Sequence, residues 1–293
     1  MPPSQDTSTP PRSMDDLSSV DLDDVLHQAR TRLGRDLVGA AAHYGRVNGT
    51  AGFRTDAGTW VRLSWRRNTR LDPSAWLGTE AAAAAISDSV PRPGWIAAAT
   101  WSDPDRGVVW RAEETTLAPA PALSTTGEIT TDTPLHGQWW NALVTALEAL
   151  AAHTTDRTAL DHAHLTRRIH EVYGTRIDSR IPDNEWACAH GDLGYANLTG
   201  PELMLLDWES WGMAPIGWDA ACLWSASLRV PHIADEVLQR FEAALSTRSG
   251  RLCRLLLCAN VAHATRRLGR ELPATGAAAA AAETLLDDLA RTP

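Results

Sequence analysis

The sequence predicts an α+β protein with a small antiparallel sheet in its first part and a larger, mainly helical second part. Residues 47–54 and 59–65 have the composition of strands and flank Thr55-Asp56-Ala57-Gly58, a turn typical of β-hairpins. Two further strands are expected at 95–101 and 107–113. The second half of the chain instead has apolar residues at helical spacing. Strands followed by helices indicate two lobes, and the cleft between such lobes is the expected ligand site.

The first lobe is expected to span residues 20–116. Residues 1–19 are rich in Pro, Ser, Thr and Asp, with little to bury, and are predicted to be a disordered tail. Apolar residues at helical spacing predict a helix over 22–37. An alanine-rich helix is predicted over 76–86, and it carries Glu80.

The second lobe is expected to span residues 138–293. Prolines at 119, 121 and 134 predict a linker over 117–137 between the lobes. Short strands and loops over 186–209 interrupt the helical pattern. The helices of this lobe are predicted at 138–153, 160–173, 219–228, 233–245, 251–268 and 277–290.

Composition and charge limit the classes of function. The chain has 293 residues, of which 44% are hydrophobic and 22% charged, as in an ordinary globular protein that buries a core. Its net charge of -9 argues against a nucleic-acid partner, which would require a basic face. The alanine run at 277–282 is too short to span a bilayer, and the N-terminus lacks the regions of a signal peptide. We therefore expect a cytoplasmic protein without a membrane partner; the sequence carries no signal for its oligomeric state.

The four cysteines indicate neither a disulfide framework nor a zinc site. They stand at 188, 222, 253 and 258, without a CxxC pair or a zinc-ligand spacing. Each is flanked by apolar residues, so buried free thiols are expected.

The most informative segment is HGDLGYANL at 190–198, followed by LLDWE at 205–209. Asp192 precedes Asn197 by five positions, the step that separates the base from the magnesium-binding Asn in a kinase catalytic loop. Asp207 ends an apolar run, where a second magnesium-binding residue belongs. The order and spacing of these three residues predict phosphoryl transfer from ATP.

These motifs, behind a strand-rich lobe, resemble the aminoglycoside phosphotransferase family, which belongs to the protein-kinase-like superfamily of small-molecule kinases. The specific motifs cover 186–224, and the order of the lobes extends the resemblance over 40–290. The resemblance implies a bilobal protein-kinase-like fold with ATP and Mg²⁺ between the lobes. It also implies transfer of the γ-phosphoryl group to a hydroxyl of a small molecule, either an aminoglycoside-like antibiotic or a metabolite. Neither the acceptor nor the choice of ATP over GTP is evident from the sequence.

The resemblance also implies roles for individual residues. Asp192 matches the catalytic Asp that orients the acceptor hydroxyl and accepts its proton. Asn197 and Asp207 match the two protein ligands of Mg²⁺, a hard cation that keeps waters and phosphate oxygens as its other ligands. His190 and Gly191 are expected to support the loop, His190 by hydrogen bonds to the backbone and Gly191 by permitting a turn.

Asp219 matches a family Asp that braces the catalytic loop from the start of a helix. A plain helix N-cap is the alternative interpretation of this residue. Neither interpretation makes Asp219 catalytic.

The chain departs from the kinase pattern in its nucleotide site, because all 27 of its Lys and Arg residues are arginine. Arg62 stands where the strand lysine on the ATP phosphates belongs, and Glu80 stands where its helix glutamate partner belongs; Arg66 is the second choice for the cation. A guanidinium binds phosphate oxygens well, but it is bulkier than an ammonium. The alternative is that Arg62 and Glu80 are solvated surface residues. In the predicted strand 59–65, Arg62 shares one face with Trp60 and Ser64.

Two function hypotheses follow from these observations. The first is an active phosphotransferase, because all three polar residues of the catalytic core are present. The second is a catalytically impaired, nucleotide-binding pseudokinase with a sensing or scaffolding role, because the lysine is missing. The glycines at 45, 49 and 52 do not spell the phosphate-loop pattern G-x-G-x-x-G, a further departure from the kinase pattern.

Overall fold

The computed structural model describes residues 17–45, 49–67 and 76–291. The chain forms two compact units, one of Met1–Asp72 with Pro93–Leu117 and one of Pro73–Arg92 with Ala118–Pro293. The first unit contains an antiparallel sheet and the second is mainly helical, which confirms the predicted fold class. The boundary between the units differs from the expected one. Residues 73–92, which are expected in the first lobe, belong to the second unit.

The first unit is built on a five-stranded antiparallel sheet, in which neighbouring strands follow the order β1 (Leu37–Gly45), β2 (Thr50–Thr55), β3 (Thr59–Arg67), β5 (Val108–Thr116) and β4 (Trp95–Asp103). The hairpin between β2 and β3 has the predicted turn, in which the Gly58 amide donates to the Thr55 carbonyl at 3.1 Å. The elements of this unit are α1 (Asp23–Leu33), β1 (Leu37–Gly45), β2 (Thr50–Thr55), β3 (Thr59–Arg67), β4 (Trp95–Asp103) and β5 (Val108–Thr116).

The predicted helix over 22–37 is too long. Gly34 has a left-handed backbone with φ of 65°, and its amide donates to the Arg30 carbonyl at the end of α1. A left-handed residue terminates a helix, and glycine adopts this conformation without the clash that a side chain would cause. The chain then enters β1 at Leu37.

One face of the sheet is apolar and packs against α1. Val61 and Leu63 of β3 are buried there with Trp110 of β5, in one cluster with Val25 of α1. Leu17 belongs to the same cluster and lies in a short 3₁₀-helix, Leu17–Ser19. The predicted disordered tail is therefore wrong for residues 17–19, and its remaining part lies outside the described residues.

The core of the second unit is formed mainly by its helices. The long helix Arg248–Leu268 contacts the helices His162–Tyr173, Trp218–Ala226 and Thr275–Arg291 and contributes fully buried leucines. The predicted helix over 233–245 is observed as two helices, Pro231–Arg240 and Glu242–Leu245. The helices of this unit are α2 (Gly78–Ala85), α3 (Gly137–Ala151), α4 (His162–Tyr173), α5 (Trp218–Ala226), α6 (Pro231–Arg240), α7 (Glu242–Leu245), α8 (Arg248–Leu268) and α9 (Thr275–Arg291), with a two-stranded sheet of β6 (Trp186–Ala189) and β7 (Gly212–Pro215).

The segment predicted as a linker belongs to the second unit, except for Leu117. The Leu123 amide donates to the Leu198 carbonyl at 2.8 Å, and the Ser124 amide donates to the Tyr195 carbonyl at 3.1 Å. In return, the Tyr195 amide donates to the Gly127 carbonyl at 2.9 Å. Residues 123–127 are therefore hydrogen-bonded to the loop that carries the HGDLGYANL motif.

The four cysteines are free, as predicted. Burial raises the pKa of the Cys188 thiol to about 11 and that of Cys258 to about 12, which keeps both protonated near neutral pH. Within the described ranges, no helix combines the length and the apolar character needed to cross a membrane.

Candidate active site

The motif begins where β6 ends. Gly191 has φ of 89°, a conformation that glycine tolerates and other residues resist. A Cβ at this position would collide with the carbonyl oxygen of Ser210. The tight turn after β6 therefore requires glycine, and it places the exposed Asp192 directly after the turn.

Asp219 holds this turn from the start of α5. One of its carboxylate oxygens accepts from the His190 amide at 2.7 Å and the other accepts from the Gly191 amide at 3.0 Å. Burial raises the pKa of Asp219, while the neighbouring His190 and the two amide donors oppose this rise. The N-cap position of α5 is occupied by Gly217, and the Asp219 side chain holds the turn at His190 and Gly191 instead of capping its own helix.

His190 links the same turn to the segment before Asp207. Its ring is fully buried, and its Nε2 lies 2.7 Å from the Leu206 carbonyl oxygen. Because a carbonyl can only accept, Nε2 carries the hydrogen. The ring also packs edge-on against Trp208 at 4.8 Å between centroids. These contacts give His190 a supporting position, and they connect the two motif segments directly.

Asn197 is oriented by the backbone of Asp192. Its Nδ2 donates to the Asp192 carbonyl oxygen at 2.7 Å, so the amide oxygen Oδ1 is directed away from that carbonyl. The Asn197 carbonyl accepts from the Leu206 amide at 2.8 Å, and Leu198 pairs with Leu205 in an isolated β-bridge. Asp207 therefore follows directly after a residue that is hydrogen-bonded to Asn197.

Asp207 has an unusual backbone. With φ of 60°, it is the single non-glycine residue with positive φ in the ranges that the structure describes. Aspartate and asparagine adopt this conformation more readily than most residues, at a cost of about 1–3 kcal/mol. Such a conformation persists only where the surroundings hold it, and its occurrence at the predicted metal ligand is consistent with a functional position.

Arg157 fixes the segment after Asp207 and is not among the predicted site residues. Its Nε donates to the Trp211 carbonyl at 2.9 Å and its Nη2 donates to the Glu209 carbonyl at 3.0 Å. The guanidinium also lies over the Trp211 ring, 4.7 Å from its centroid. Trp211 in turn donates from its ring nitrogen to the Gly78 carbonyl at the start of α2. Arg157 stands 50 residues from Asp207 in the sequence and matches no motif, so no signal in the sequence identifies it.

The two residues predicted for the nucleotide phosphates lie in different units. Arg62 is half-buried on β3 of the first unit, opposite Gly52 of β2 and Glu113 of β5. Glu80 lies on α2 of the second unit and is exposed. Arg66 stands four positions after Arg62 on β3, and its Nη1 donates to the Trp65 carbonyl at 2.8 Å.

The glycines near the expected phosphate loop accommodate tryptophans. A Cβ at Gly52 would collide with the ring of Trp60, and a Cβ at Gly49 would collide with the ring of Trp65. Gly49 also has a positive φ of 57°. At least two of these glycines therefore have a packing reason for their small size.

The donor set around the motif suits Mg²⁺. In the described part of the chain, no group of three or more His, Cys, Asp and Glu residues is arranged to hold a metal ion. Mg²⁺ does not need one, because it is commonly held by one or two protein oxygens together with phosphates and water. The Asn197 amide is oriented with its nitrogen on a carbonyl, which directs its oxygen away from that carbonyl. Asn197 and Asp207 therefore carry oxygen donors of the kind that Mg²⁺ prefers.

No protein-family model and no curated protein sequence matches this chain. Solved structures do match it. The amicoumacin kinase hAmiN in complex with AMP-PNP, Ca²⁺ and Ami has a TM-score of 0.54 and 14% identity, covering 94% of this chain and 95% of that one.

Two further structures match over a similar extent. A thermostable mutant of aminoglycoside phosphotransferase APH(4)-Ia, in ternary complex with ADP and hygromycin B, has a TM-score of 0.55 and 11% identity over 90% of this chain and 98% of that one. The choline kinase LicA from Streptococcus pneumoniae has a TM-score of 0.52 and 12% identity over 92% of this chain and 98% of that one. At this identity the likeness shows the fold. The chain therefore has the kinase-like fold of these small-molecule phosphotransferases, as its catalytic-loop motif predicted.

Proposed function

We propose that the protein is a small-molecule kinase that transfers the γ-phosphoryl group of ATP, with Mg²⁺, to a hydroxyl group. The observation that carries the proposal is the hydrogen-bond network around the motif. Asp219 holds the turn before Asp192, His190 links this turn to the residue before Asp207, and Asn197 donates to the Asp192 carbonyl. The bound nucleotides of hAmiN and APH(4)-Ia, and the Ca²⁺ of hAmiN, support nucleotide and divalent-cation use in this fold. We place this enzyme in the cytoplasm, where ATP is available.

Asp192 is proposed as the catalytic residue. Its exposed carboxylate accepts a hydrogen bond from the acceptor hydroxyl, orients it for attack and takes its proton as the new bond to phosphorus forms. A carboxylate is sufficient, because the transition state of phosphoryl transfer is loose and depends on positioning more than on a strong base. The Gly191 turn sets the position of Asp192.

Asn197 Oδ1 and the Asp207 carboxylate are proposed to hold Mg²⁺. When bound, the cation neutralises negative charge on the phosphate oxygens during transfer. The hydrogen bond from Asn197 Nδ2 to the Asp192 carbonyl couples the ligand to the catalytic loop. The contacts of Arg157 with Glu209 and Trp211 hold the backbone after Asp207. Groups held in this way need little reorganisation during the reaction.

Arg62 is proposed as the cation on the nucleotide phosphates in place of the lysine that the chain lacks. Its half-buried place on β3 allows its guanidinium to bind phosphate oxygens in a fork. The pseudokinase alternative rests on the missing lysine alone, and no contact in the described residues favours it.

The proposal is tested with purified protein, ATP and Mg²⁺ against a panel of aminoglycosides, amino alcohols and other hydroxylated metabolites. ADP release should accelerate with the right acceptor, and mass spectrometry should detect the phosphorylated product. Because Asp192→Ala removes the group that orients the acceptor, it should lower the turnover at least about 100-fold. Asp235→Ala, at an exposed position on α6, is the control and should leave turnover unchanged.

Two results would count against this function. A folded protein that neither binds ATP nor phosphorylates any acceptor would remove the kinase proposal. Tight ATP binding without turnover across the whole panel would instead favour the pseudokinase.

A further inference from the structure

The second unit contains a groove beside the catalytic loop. It is lined by residues 122–126, 128–131, 133 and Arg229, all of which belong to this unit. We call residues 122–133 the strap and this groove the strap groove. Its volume of about 630 Å³ lies within the range of about 300–1,000 Å³ that is typical of small-molecule sites. The strap groove is therefore large enough to hold a small molecule.

Hydroxyl groups dominate the lining of the strap groove. Six of its eleven lining residues are serine or threonine. In the described part of the chain, the exposed hydroxyls of Thr125, Thr130 and Thr131 make no hydrogen bond to the protein. Each hydroxyl can donate one hydrogen bond and accept two. The groove therefore offers several donors and acceptors to a ligand that carries hydroxyl groups of its own.

The charged side chains of the groove balance each other. Glu128 and Arg229 are its two charged lining residues, and Arg229 Nη1 lies 3.8 Å from Glu128 Oε2. This pair leaves the lining without net charge. A polycation or a phosphorylated compound is bound best by an excess of the opposite charge, so the lining favours a neutral ligand.

Backbone hydrogen bonds join the strap to the catalytic loop. The Ser124 amide donates to the Tyr195 carbonyl at 3.1 Å, and the Tyr195 amide donates to the Gly127 carbonyl at 2.9 Å. The strap also approaches Gly194, where a Cβ would lie 3.2 Å from the Gly127 carbonyl oxygen. Since consecutive Cα atoms are about 3.8 Å apart, the Cα atoms of Asp192 and Gly194 are at most about 8 Å apart. The strap therefore lies within the length of a small molecule from the catalytic carboxylate.

The strap and the catalytic loop are both anchored to the end of α5. Tyr195 is fully buried, and its hydroxyl lies 2.7 Å from Ser227 Oγ, which itself donates to the Leu223 carbonyl. On the strap, the Ile129 amide donates to the Ala226 carbonyl at 3.0 Å. Sites that are supported by rigid elements position their ligands more precisely than mobile loops do. The strap groove therefore has a fixed position relative to the catalytic loop.

These features indicate the ligand of the groove. We propose that the strap groove binds the acceptor of the phosphoryl group and that this acceptor is a neutral compound with several hydroxyl groups. Some of its hydroxyls bind the threonines of the strap, and another reaches Asp192. The oxygen of that hydroxyl forms the bond to the γ-phosphorus, the bond from this phosphorus to ADP breaks, and Asp192 takes the proton. This inference rests on the proposed kinase function.

Matched pairs of acceptors test the predicted class of compound. Glucose and glucosamine differ by one amino group, and scyllo-inositol and streptamine differ by two. ADP release from MgATP is measured for the wild-type protein with each compound. The neutral member of a pair should have a kcat/KM about tenfold higher, because the lining has no excess negative charge to attract an amine. Stronger acceleration by the amines, or no acceleration by any neutral polyhydroxylated compound, overturns the proposal.

A double variant tests the groove itself. Thr125→Val with Thr130→Val removes two hydroxyls and should raise the KM of the best neutral acceptor about tenfold, the effect of losing two hydrogen bonds between neutral groups. The KM of MgATP and the slow ADP release without an acceptor should stay unchanged. Thr154→Val with Thr284→Val is the control, because both threonines are exposed in the second unit and lie outside the groove. Thermal unfolding verifies that each variant is folded.

A further variant tests the charge balance. Arg229→Gln leaves Glu128 without its partner and gives the groove a net negative charge. The ratio of kcat/KM for glucose to that for glucosamine should fall about threefold, a modest change because the ion pair is partly exposed. Arg180→Gln breaks an exposed ion pair with Asp178 outside the groove and should leave the ratio unchanged. An unchanged ratio in a folded R229Q protein overturns the assignment of the acceptor to this groove.

The outcomes separate this inference from the function on which it rests. A wild-type protein that binds no MgATP would remove the kinase proposal and, with it, the role of the groove. If the wild type phosphorylates an acceptor and the two double variants have the same KM for it, the kinase function stands and only the role of the groove is overturned.

Discussion

The two units hold their charged groups by different physical means. In the second unit, the Asp219 carboxylate is held by two consecutive backbone amides, those of His190 and Gly191. In the first unit, Arg111 and Glu113 hold each other, side chain to side chain, on one strand. Backbone donors are fixed once the loop has its shape, whereas a pair of side chains depends on the register and packing of the whole sheet. We therefore expect the loop to respond to substitution with large losses of turnover, and the sheet with smaller and more graded losses.

The largest effect is expected from Asp219→Ala. This change leaves the buried His190 amide and the partly buried Gly191 amide without acceptors. Each such loss costs about 1–3 kcal/mol, so the unfolding free energy should fall by about 3 kcal/mol. Turnover should fall as well, because the turn that places Asp192 loses its brace. Urea denaturation and ADP release measure the two effects.

Asp161 provides the control for Asp219. It also accepts from two backbone amides, those of Ala163 and His164, but it is exposed and caps α4. Asp161→Ala should cost about 1 kcal/mol, the usual value for an N-cap, and leave turnover unchanged. Equal losses of turnover in the two variants would contradict the special role of the Asp219 brace.

A smaller effect, confined to the loop, is expected from Gly191→Ala. Gly191 and Gly174 have similar positive φ values of 89° and 98°, but a Cβ at Gly174 meets no atom within 4 Å, whereas one at Gly191 meets the Ser210 carbonyl. Both alanine variants should lose about 1–3 kcal/mol of stability from backbone strain. Only Gly191→Ala should also lower turnover, because the loop must move to relieve the collision. Equal turnover in the two variants would show that the close approach to Ser210 does not matter for activity.

The same contrast between loop and sheet explains what the sequence could predict. The order of strands and helices and the spacing of Asp192, Asn197 and Asp207 are local patterns, and local patterns are readable from a single chain. Arg157 contacts the segment after Asp207 from a distant position, so its role becomes visible only in the folded chain. Glu113 faces Arg62 because of the register between β3 and β5, and no local pattern specifies that register.

The helix boundaries show the same limit. Gly34 ends α1 earlier than the apolar spacing suggested, because one left-handed residue outweighs the continuing periodicity. Residues 73–92 follow the first sheet strands in the sequence, yet the side chains of Ala82, Ile86 and Val90 pack into the core of the second unit. Proximity in the sequence to the strands of the sheet therefore does not predict the unit to which this segment belongs.

The smallest effect on stability is expected from a substitution of Arg106, and this effect should depend on pH. Arg106 lies 2.8 Å from Asp24 and 2.7 Å from Asp103, and Trp110 donates to Asp103 at 3.0 Å. The hydrogen bond from Arg106 lowers the pKa of Asp24. Burial opposes ionisation of Asp103, but the hydrogen bonds from Arg106 and Trp110 outweigh it and lower the pKa of this carboxyl too.

Groups with a lowered pKa in the folded state stabilise the protein above their unfolded pKa, about 3.9 for Asp, and lose this contribution as the pH falls through the folded value. Arg106→Gln should therefore lower the unfolding free energy at pH 7 by about 1 kcal/mol, a modest value because Asp24 is largely exposed and screened by solvent. The difference between wild type and Arg106→Gln should shrink as the pH falls below about 4, because both carboxylates become protonated. Urea denaturation between pH 7 and pH 3 measures it. A difference that stays constant over this range would show that Arg106 stabilises the sheet by packing alone, without its ion pairs.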